Sequence, residues 1–398
     1  MIERPAYLEK LFRWKDRDVI KVVTGVRRCG KSTLLRMFAD KMIDQGVARE
    51  HIITLNLEQL ENESLLNYRT LHDEILSQAV GEGTYYVIID EVQNVPDFQK
   101  AIDSLYTRPN IDLYITGSNA MLLGGTLATL LSGRYVEIAM SPLSFAEYIS
   151  AAPEQDASLS RLYSRYISHG SFPATPKFAH DSLALHDYLE GILNTVLLKD
   201  VAQRLNISNT LGLGSLVDFM FDNIGNLTSI KRIADTVSAQ GTKISHNTVA
   251  EYLSALCSSY IFYRAKCYDI RGRKLLKLQG KYYAVDMGMR RMVLSNQVRD
   301  TGRILENIVF LELLRRTGSV FVGKIDTLEV DFVTQGADGP SYYQVAESTL
   351  DEGTLERELK PLERIGDNYP KYLITLDDSD PVNYNGILRI NALDWLTS

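Results

Sequence analysis

Cysteine, histidine and tryptophan are scarce in this chain, with three, six and two among 398 residues. Cys29, Cys257 and Cys267 have no metal-ligand spacing and are too few for a disulfide framework. Neither a cysteine-spaced zinc module nor a disulfide scaffold is therefore expected. No apolar run approaches the roughly 18 residues that a membrane span needs. The opening Met1-Ile2-Glu3-Arg4-Pro5 leads into a charged amphipathic stretch instead of a signal-peptide core. A cytoplasmic location without a membrane partner is the expectation. An excess of positive charge is missing as well: 43 Lys and Arg stand against 50 Asp and Glu, a formal net charge of −7. That argues against a general nucleic-acid coat while leaving room for a local basic patch. With 45% apolar and 23% charged residues the chain is an ordinary globular one, long enough for roughly two to four domains.

What the sequence does carry is a phosphate loop. Gly25-Val26-Arg27-Arg28-Cys29-Gly30-Lys31-Ser32-Thr33 fits G-x-x-x-x-G-K-[ST], after the apolar run Val19-Ile20-Lys21-Val22-Val23 and before the helix-like Leu34-Leu35-Arg36-Met37-Phe38. Strand, glycine-bounded loop and helix are the order this chemistry needs. Gly25 and Gly30 let the backbone close around an anion, and the helix start adds its positive dipole end. Lys31 reaches the β- and γ-phosphates, and the Ser32 hydroxyl is a Mg²⁺ ligand. Arg27 and Arg28 are placed for phosphate, for a neighbouring subunit or for an acidic strand edge. Cys29 sits among polarised N–H groups that would favour its thiolate, or simply fills the loop as a small residue. ATP and Mg²⁺ are the expected cofactors.

A second motif narrows the first. Tyr85-Tyr86-Val87-Ile88-Ile89-Asp90-Glu91 reads as a buried parallel strand ending in two acids. Asp90 is placed on the Mg²⁺ side and Glu91 to polarise the attacking water as general base. A guanine-reading Asn-Lys-x-Asp segment is lacking, which disfavours a GTPase. The run from Ile111 to Asn119 reads as a further strand ending in small polar residues. In the AAA+ proteins that the two motifs resemble, a polar residue there helps hold the γ-phosphate, with Asn119 the first and Ser118 the second choice; the alternative is a polar turn capping the next helix. Gly133-Arg134 precedes a further strand. Arg134 is either a finger acting on a neighbouring subunit of a homo-oligomer or the partner of an acid in its own fold. A parallel five-stranded sheet with helices on both faces completes an α/β nucleotide-binding domain over residues 1–150.

Gly25-x-Arg27-Arg28-x-Gly30-Lys31-Ser32, Asp90-Glu91-Val92-Gln93, Thr116-Gly117-Ser118, Gly133-Arg134 and Pro142-Leu143-Ser144-Phe145-x-Glu147-Tyr148 together resemble the prokaryotic AAA+-like P-loop ATPases that carry an uncharacterised C-terminal domain. The resemblance covers nearly the whole chain, and it implies ATP hydrolysis with Mg²⁺. His169-Gly170-Ser171-Phe172-Pro173 is similar to that family's Gly-Gly-Phe-Pro turn, with serine replacing one glycine.

The remainder divides by pattern. A polar stretch near 151–158 reads as a linker, and residues 151–215 as a helical lid. Residues 216–300 read as a winged helix: short helices at 229–235 and 245–253, then a hairpin. Arg264, Lys266, Arg271, Arg273, Lys274, Lys277 and Lys281 lie along that hairpin against Asp269 alone, a basic wing suited to nucleic-acid phosphates. Its second helix offers only His246 and Asn247 as base-reading side chains, so contact would be electrostatic.

Residues 301–398 run helix, strands, helix, strand, and with Glu306 and Asp331 resemble the PD-(D/E)xK restriction-endonuclease-like fold. That chemistry gathers carboxylates around a metal and needs Glu-x-Lys on a neighbouring strand. Here the strand has Gln344-Val345-Ala346. The expected domain is degenerate, with nuclease activity disfavoured. Three readings emerge: an ATPase that rearranges its winged-helix and C-terminal domains, a nucleotide-switched DNA-binding regulator, and a metal-dependent nuclease whose lysine has migrated.

Overall fold

The computed structural model describes residues 2–119, 133–152, 157–205, 207, 210–239, 241–295 and 300–398, with the side chains of 277–279 left aside. The chain forms two compact units, Met1–Pro142 with Ser258–Tyr260, and Leu143–Cys257 with Ile261–Ser398.

In the first unit, α1 (Pro5–Trp14) precedes β1 (Ile20–Thr24), α2 (Lys31–Asp44), β2 (Ile52–Asn56), α3 (Tyr68–Gln78), β3 (Tyr85–Asp90), α4 (Phe98–Tyr106), β4 (Ile111–Gly117) and β5 (Tyr135–Ala139). The sheet order is β2-β3-β4-β1-β5, and every pairing is parallel. The strands β1 and β3 are buried along their whole length, as continuous apolar runs covered on both faces require. Ile20, Val22, Val87, Ile89, Leu113 and Ile115 form one core with Leu71 and Ile75 of α3 and Ile102 and Leu105 of α4. Burying each such side chain contributes about 1.5–3 kcal/mol. On α2, Phe38 turns inward, with ring centroids 4.9 Å from both Phe12 and Tyr114. Because all strands are parallel, the loops after β1, β3 and β4 gather at one edge, and β4 lies between β1 and β3.

The second unit departs from the expected division into lid, winged helix and C-terminal domain. Helices at Leu159–His169, Ser182–Thr195, Thr210–Asp222, Ile230–Ala239 and His246–Ser258 lead to β6 (Phe262–Asp269) and β7 (Lys274–Ala284). The helix Ser182–Thr195 changes to π winding at Val196–Ala202. Beyond β7 come the strands β8 (Val320–Ile325), β9 (Leu328–Gly336), β10 (Gly339–Ala346), β11 (Lys371–Thr375), β12 (Val382–Tyr384) and β13 (Ile387–Asn391). All eight strands join one mixed sheet in the order β12-β13-β11-β10-β9-β8-β6-β7. The hairpin read as a wing thus pairs through β6 with β8, in parallel, and no boundary at residue 300 separates it from the C-terminal strands. The pattern of short elements suggested two domains because sheet partners distant in sequence leave no local signal.

The turn at Gly170-Ser171 is fixed by Asp286, which accepts the Ser171 hydroxyl at 2.8 Å and caps the helix Met287–Val293 through the Met289 N–H at 2.7 Å. Among the described residues no helix is long and apolar enough to cross a membrane.

Candidate functional site: a phosphate loop and a separate acid cluster

The loop after β1 has the shape its glycines require. Gly25 has φ +144°, and a Cβ there would sit 2.1 Å from the Met140 carbonyl oxygen. Gly30, at φ 104°, turns the chain into α2. Arg28 carries a positive φ of 65°, a strained value for a residue with a Cβ. The first-turn amides of α2, from Lys31 onward, lack carbonyl partners within the helix, which leaves an anion-seeking surface.

Lys31 is 4% exposed and lies back over its own loop. Its ammonium donates to the carbonyl oxygens of Gly25 at 2.9 Å and Val26 at 3.3 Å, and stands 3.9 Å from Glu91 Oε1. Ser32 and Thr33 come next in the first turn, both half-buried. Arg27 reaches Glu58 at 3.6 Å, while Arg28 is exposed. Cys29 is fully buried, and burial pushes its thiol up, outweighing the cations Lys31 and Arg4. The thiolate expected from the loop's amides is therefore not favoured: desolvation wins, and Cys29 fills space under the loop.

At the end of β3, Asp90 and Glu91 are 5% and 7% exposed. A residue that the sequence offered only as part of a family motif, with no role of its own, joins them. The Thr116 hydroxyl, fully buried at the end of β4, donates to Asp90 Oδ1 at 2.5 Å and accepts the Glu91 N–H at 2.9 Å. Glu91 has φ 55°, a second strained residue at this edge. Its carboxylate accepts the Gln93 side-chain amide, and burial raises its pKa above the ordinary value, with Lys31 and Gln93 opposing. Gln93 also lies 3.4 Å from the Ser118 hydroxyl, and its buried Oε1 has no hydrogen-bond partner among the described residues. Asn119 comes after Ser118 and is half-buried. The signal for Thr116 was its place at the end of a strand; its role needed β4 to lie beside β3.

Arg134 is not brought to this edge. It precedes β5, at the opposite ends of parallel strands, and pairs with Asp103 of α4 at 2.7 Å while lying over the Tyr106 ring. The intrachain acid is the partner found, and it holds Arg134 at the other end of the strands from Lys31, Asp90 and Glu91.

A glycine-bounded loop with no room for a Cβ at Gly25, a helix start facing it, and buried carboxylates at the end of β3, with β4 between, fit a Mg²⁺-nucleotide. Residues 17–149 match the model of an AAA domain, and residues 160–300 match a domain of unknown function. An uncharacterized protein of Haemophilus influenzae is 41% identical over 399 residues, covering 100% of this chain and 98% of that one. The chain belongs to the family of that protein, and residues 17–149 are similar to an AAA domain. An uncharacterized protein of Methanocaldococcus jannaschii is 29% identical over 367 residues, 87% of this chain and 78% of that one. Among solved structures, a Walker-type ATPase of Pyrococcus abyssi superposes with a TM-score of 0.55 at 14% identity, over 74% of this chain and 96% of that one. That likeness is one of fold.

Outside the AAA domain a second cluster forms in the eight-stranded sheet. Glu306, on the helix Thr301–Thr317, and Asp331, on β9, do come together, with Glu329 two residues before Asp331 on the same strand. The cation among them is Lys281 of β7, which the run of basic residues assigns to the wing. Its ammonium lies 2.7 Å from Glu306 Oε1, 2.8 Å from Glu329 Oε1 and 3.4 Å from Asp331 Oδ1. Gln344 turns elsewhere: its amide donates to Glu358 at 2.9 Å and its oxygen accepts the Asp331 N–H at 3.3 Å. Arg264, Lys266, Arg271, Arg273 and Lys274 remain exposed on the hairpin, with Arg271 paired to Asp326, and the Lys277 side chain lies outside the described residues.

Proposed function

We propose that the protein binds ATP with Mg²⁺ and hydrolyses it at the phosphate-loop edge of the AAA domain. The observation that carries this reading is the convergence of Lys31, Asp90 and Glu91, with Thr116 tying the two acids into one rigid corner. Ser32 and Asp90 would hold the metal, which supplies neutralisation of phosphate charge. Lys31 exchanges the Gly25 and Val26 carbonyls for phosphate oxygens. Glu91 orients a water toward the γ-phosphorus and takes its proton as the bond to the ADP oxygen breaks. Burial makes that carboxylate a stronger base than a solvated one. Gln93 and Ser118 keep it in place, and Asn119 stands next to them for contact with the γ-phosphate.

The test is Glu91→Gln in the full chain. ATP affinity should persist while turnover falls by about 10²–10⁴-fold. Turnover comparable to the wild type would remove Glu91 from the role of base.

A second reading rests on the exposed cations of the hairpin, Arg264, Lys266, Arg271, Arg273 and Lys274. They suit the phosphates of a nucleic acid, bound weakly and without sequence readout. Gel-shift titration at two salt concentrations, with and without ATP, separates the readings: affinity that does not fall with salt rules out this contact.

A further inference from the structure

Three carboxylates drawn from a helix and a strand would repel one another in a buried place unless something positive stands between them. In this fold that something is part of the chain. Lys281 is 4% exposed, and its ammonium is the common neighbour of Glu306, Glu329 and Asp331. Other partners fix each acid. Glu306 accepts the Tyr283 hydroxyl at 2.7 Å, Glu329 pairs with Lys324 at 2.7 Å, and Asp331 accepts the Val345 N–H at 3.0 Å. Among the described residues no group of three or more acids, histidines or cysteines is disposed to hold a metal ion. The acids surround an ammonium at hydrogen-bond distance, whereas a divalent ion would draw oxygens to about 2.0–2.6 Å.

We propose that Lys281 is a resident cation: it takes the place of a metal ion within the Glu306–Glu329–Asp331 cluster and so closes that cluster to divalent ions and to metal-dependent phosphodiester cleavage. The ammonium satisfies the acids as a metal would, but it brings neither open coordination positions nor an activated water. What it supplies instead is a tie between β7, β9 and the helix Thr301–Thr317. The electrostatics divide the three acids. Despite its burial the lysine is held strongly protonated by the carboxylates, and Lys281 and Lys324 keep Glu329 below its ordinary range against its own burial. For Asp331, burial, with Glu306 beside it, instead pushes the pKa up to about 7 against the pull of Lys281. This inference stands apart from the ATPase reading, since it concerns other residues in the other unit.

The experiment is a Mn²⁺ titration of the full chain without nucleotide, monitored by electron paramagnetic resonance and by thermal melting. Wild type and Glu306→Gln should bind Mn²⁺ identically, with no ion attributable to the cluster. Lys281→Met keeps most of the apolar stem and removes the charge. It should melt lower than wild type, gain one bound Mn²⁺ per chain and recover melting temperature as Mn²⁺ is added. Adding Glu306→Gln should abolish both gains. A wild-type Mn²⁺ site lost in Glu306→Gln overturns the proposal, as does Mn²⁺-dependent DNA cleavage lost in that variant. A folded Lys281→Met that gains no ion overturns it too. If Lys281→Met does not fold, the comparison of wild type with Glu306→Gln decides alone.

Discussion

Lys31 and Lys281 are equally buried, each 4% exposed, and each faces carboxylates, yet they are held in opposite ways. Lys31 donates to two carbonyl oxygens of its own loop, and its acid, Glu91, stays 3.9 Å away. Neutral carbonyls are weak partners for an ammonium, and an incoming phosphate outcompetes them. Lys281 has three carboxylates within 3.4 Å, so nothing but another cation could replace it favourably. The backbone repeats the contrast. The loop around Lys31 carries positive φ at Gly25, Arg28 and Gly30, whereas Lys281 lies in antiparallel pairing opposite Ala265, one residue before the register of β6 and β7 shifts. A lysine meant to move is held by strained backbone and neutral oxygens; one meant to stay is held by charge.

Removing the fixed cation should have the largest effect on stability. Lys281→Met leaves buried acids without a counter-charge, a change that costs about 3–5 kcal/mol. Chemical denaturation should show the loss while ATP affinity holds at the wild-type value. Loss of ATP affinity in parallel would blur the contrast between the two lysines.

Next comes the corner that keeps Glu91 in place. Thr116→Val deletes a buried hydroxyl that serves both Asp90 and Glu91, at a cost of about 1–2 kcal/mol. Turnover should fall about tenfold with little change in KM for ATP. Wild-type turnover would show that the acids hold their places without it.

The smallest effect concerns an acid held by neutral donors. Asp377, near β11, accepts the Ser348 hydroxyl at 2.6 Å and the Thr349 N–H and hydroxyl at 2.8 Å each. Burial acts against ionisation, but these bonds prevail and hold its pKa below the ordinary 3.8. Its contribution is therefore present above that value and lost as the pH falls through the lowered one. Asp377→Asn should flatten the acid limb of the stability curve and cost about 1 kcal/mol at neutral pH. An unchanged acid limb would mean that the bonds are equally satisfied in the unfolded chain.

Local order made the phosphate loop legible: glycines, lysine and hydroxyl are consecutive, and a strand and a helix flank them. The acid pair was legible for the same reason. Thr116 and Gln93 were not, because what they do depends on β4 lying beside β3 and on a side chain reaching back two residues. Arg134 allowed two readings, a finger and an intrachain partner, and strand polarity, which local sequence does not show, places it at the far ends of the sheet beside Asp103. Lys281 misled. In a run of basic residues it looked like one more exposed charge, and its acids lie 25 to 50 positions further on. The parallel pairing of β6 with β8, which carries β7 to the C-terminal strands, joins positions distant in sequence, and composition does not encode it.

The most direct measurement is ATP turnover by Lys31→Ala and Lys281→Met, assayed side by side at a temperature where circular dichroism shows both folded. The expected result is turnover lost in the first and kept at the wild-type rate in the second. Wild-type turnover by Lys31→Ala would contradict the assignment of the phosphate loop as the site of ATP chemistry.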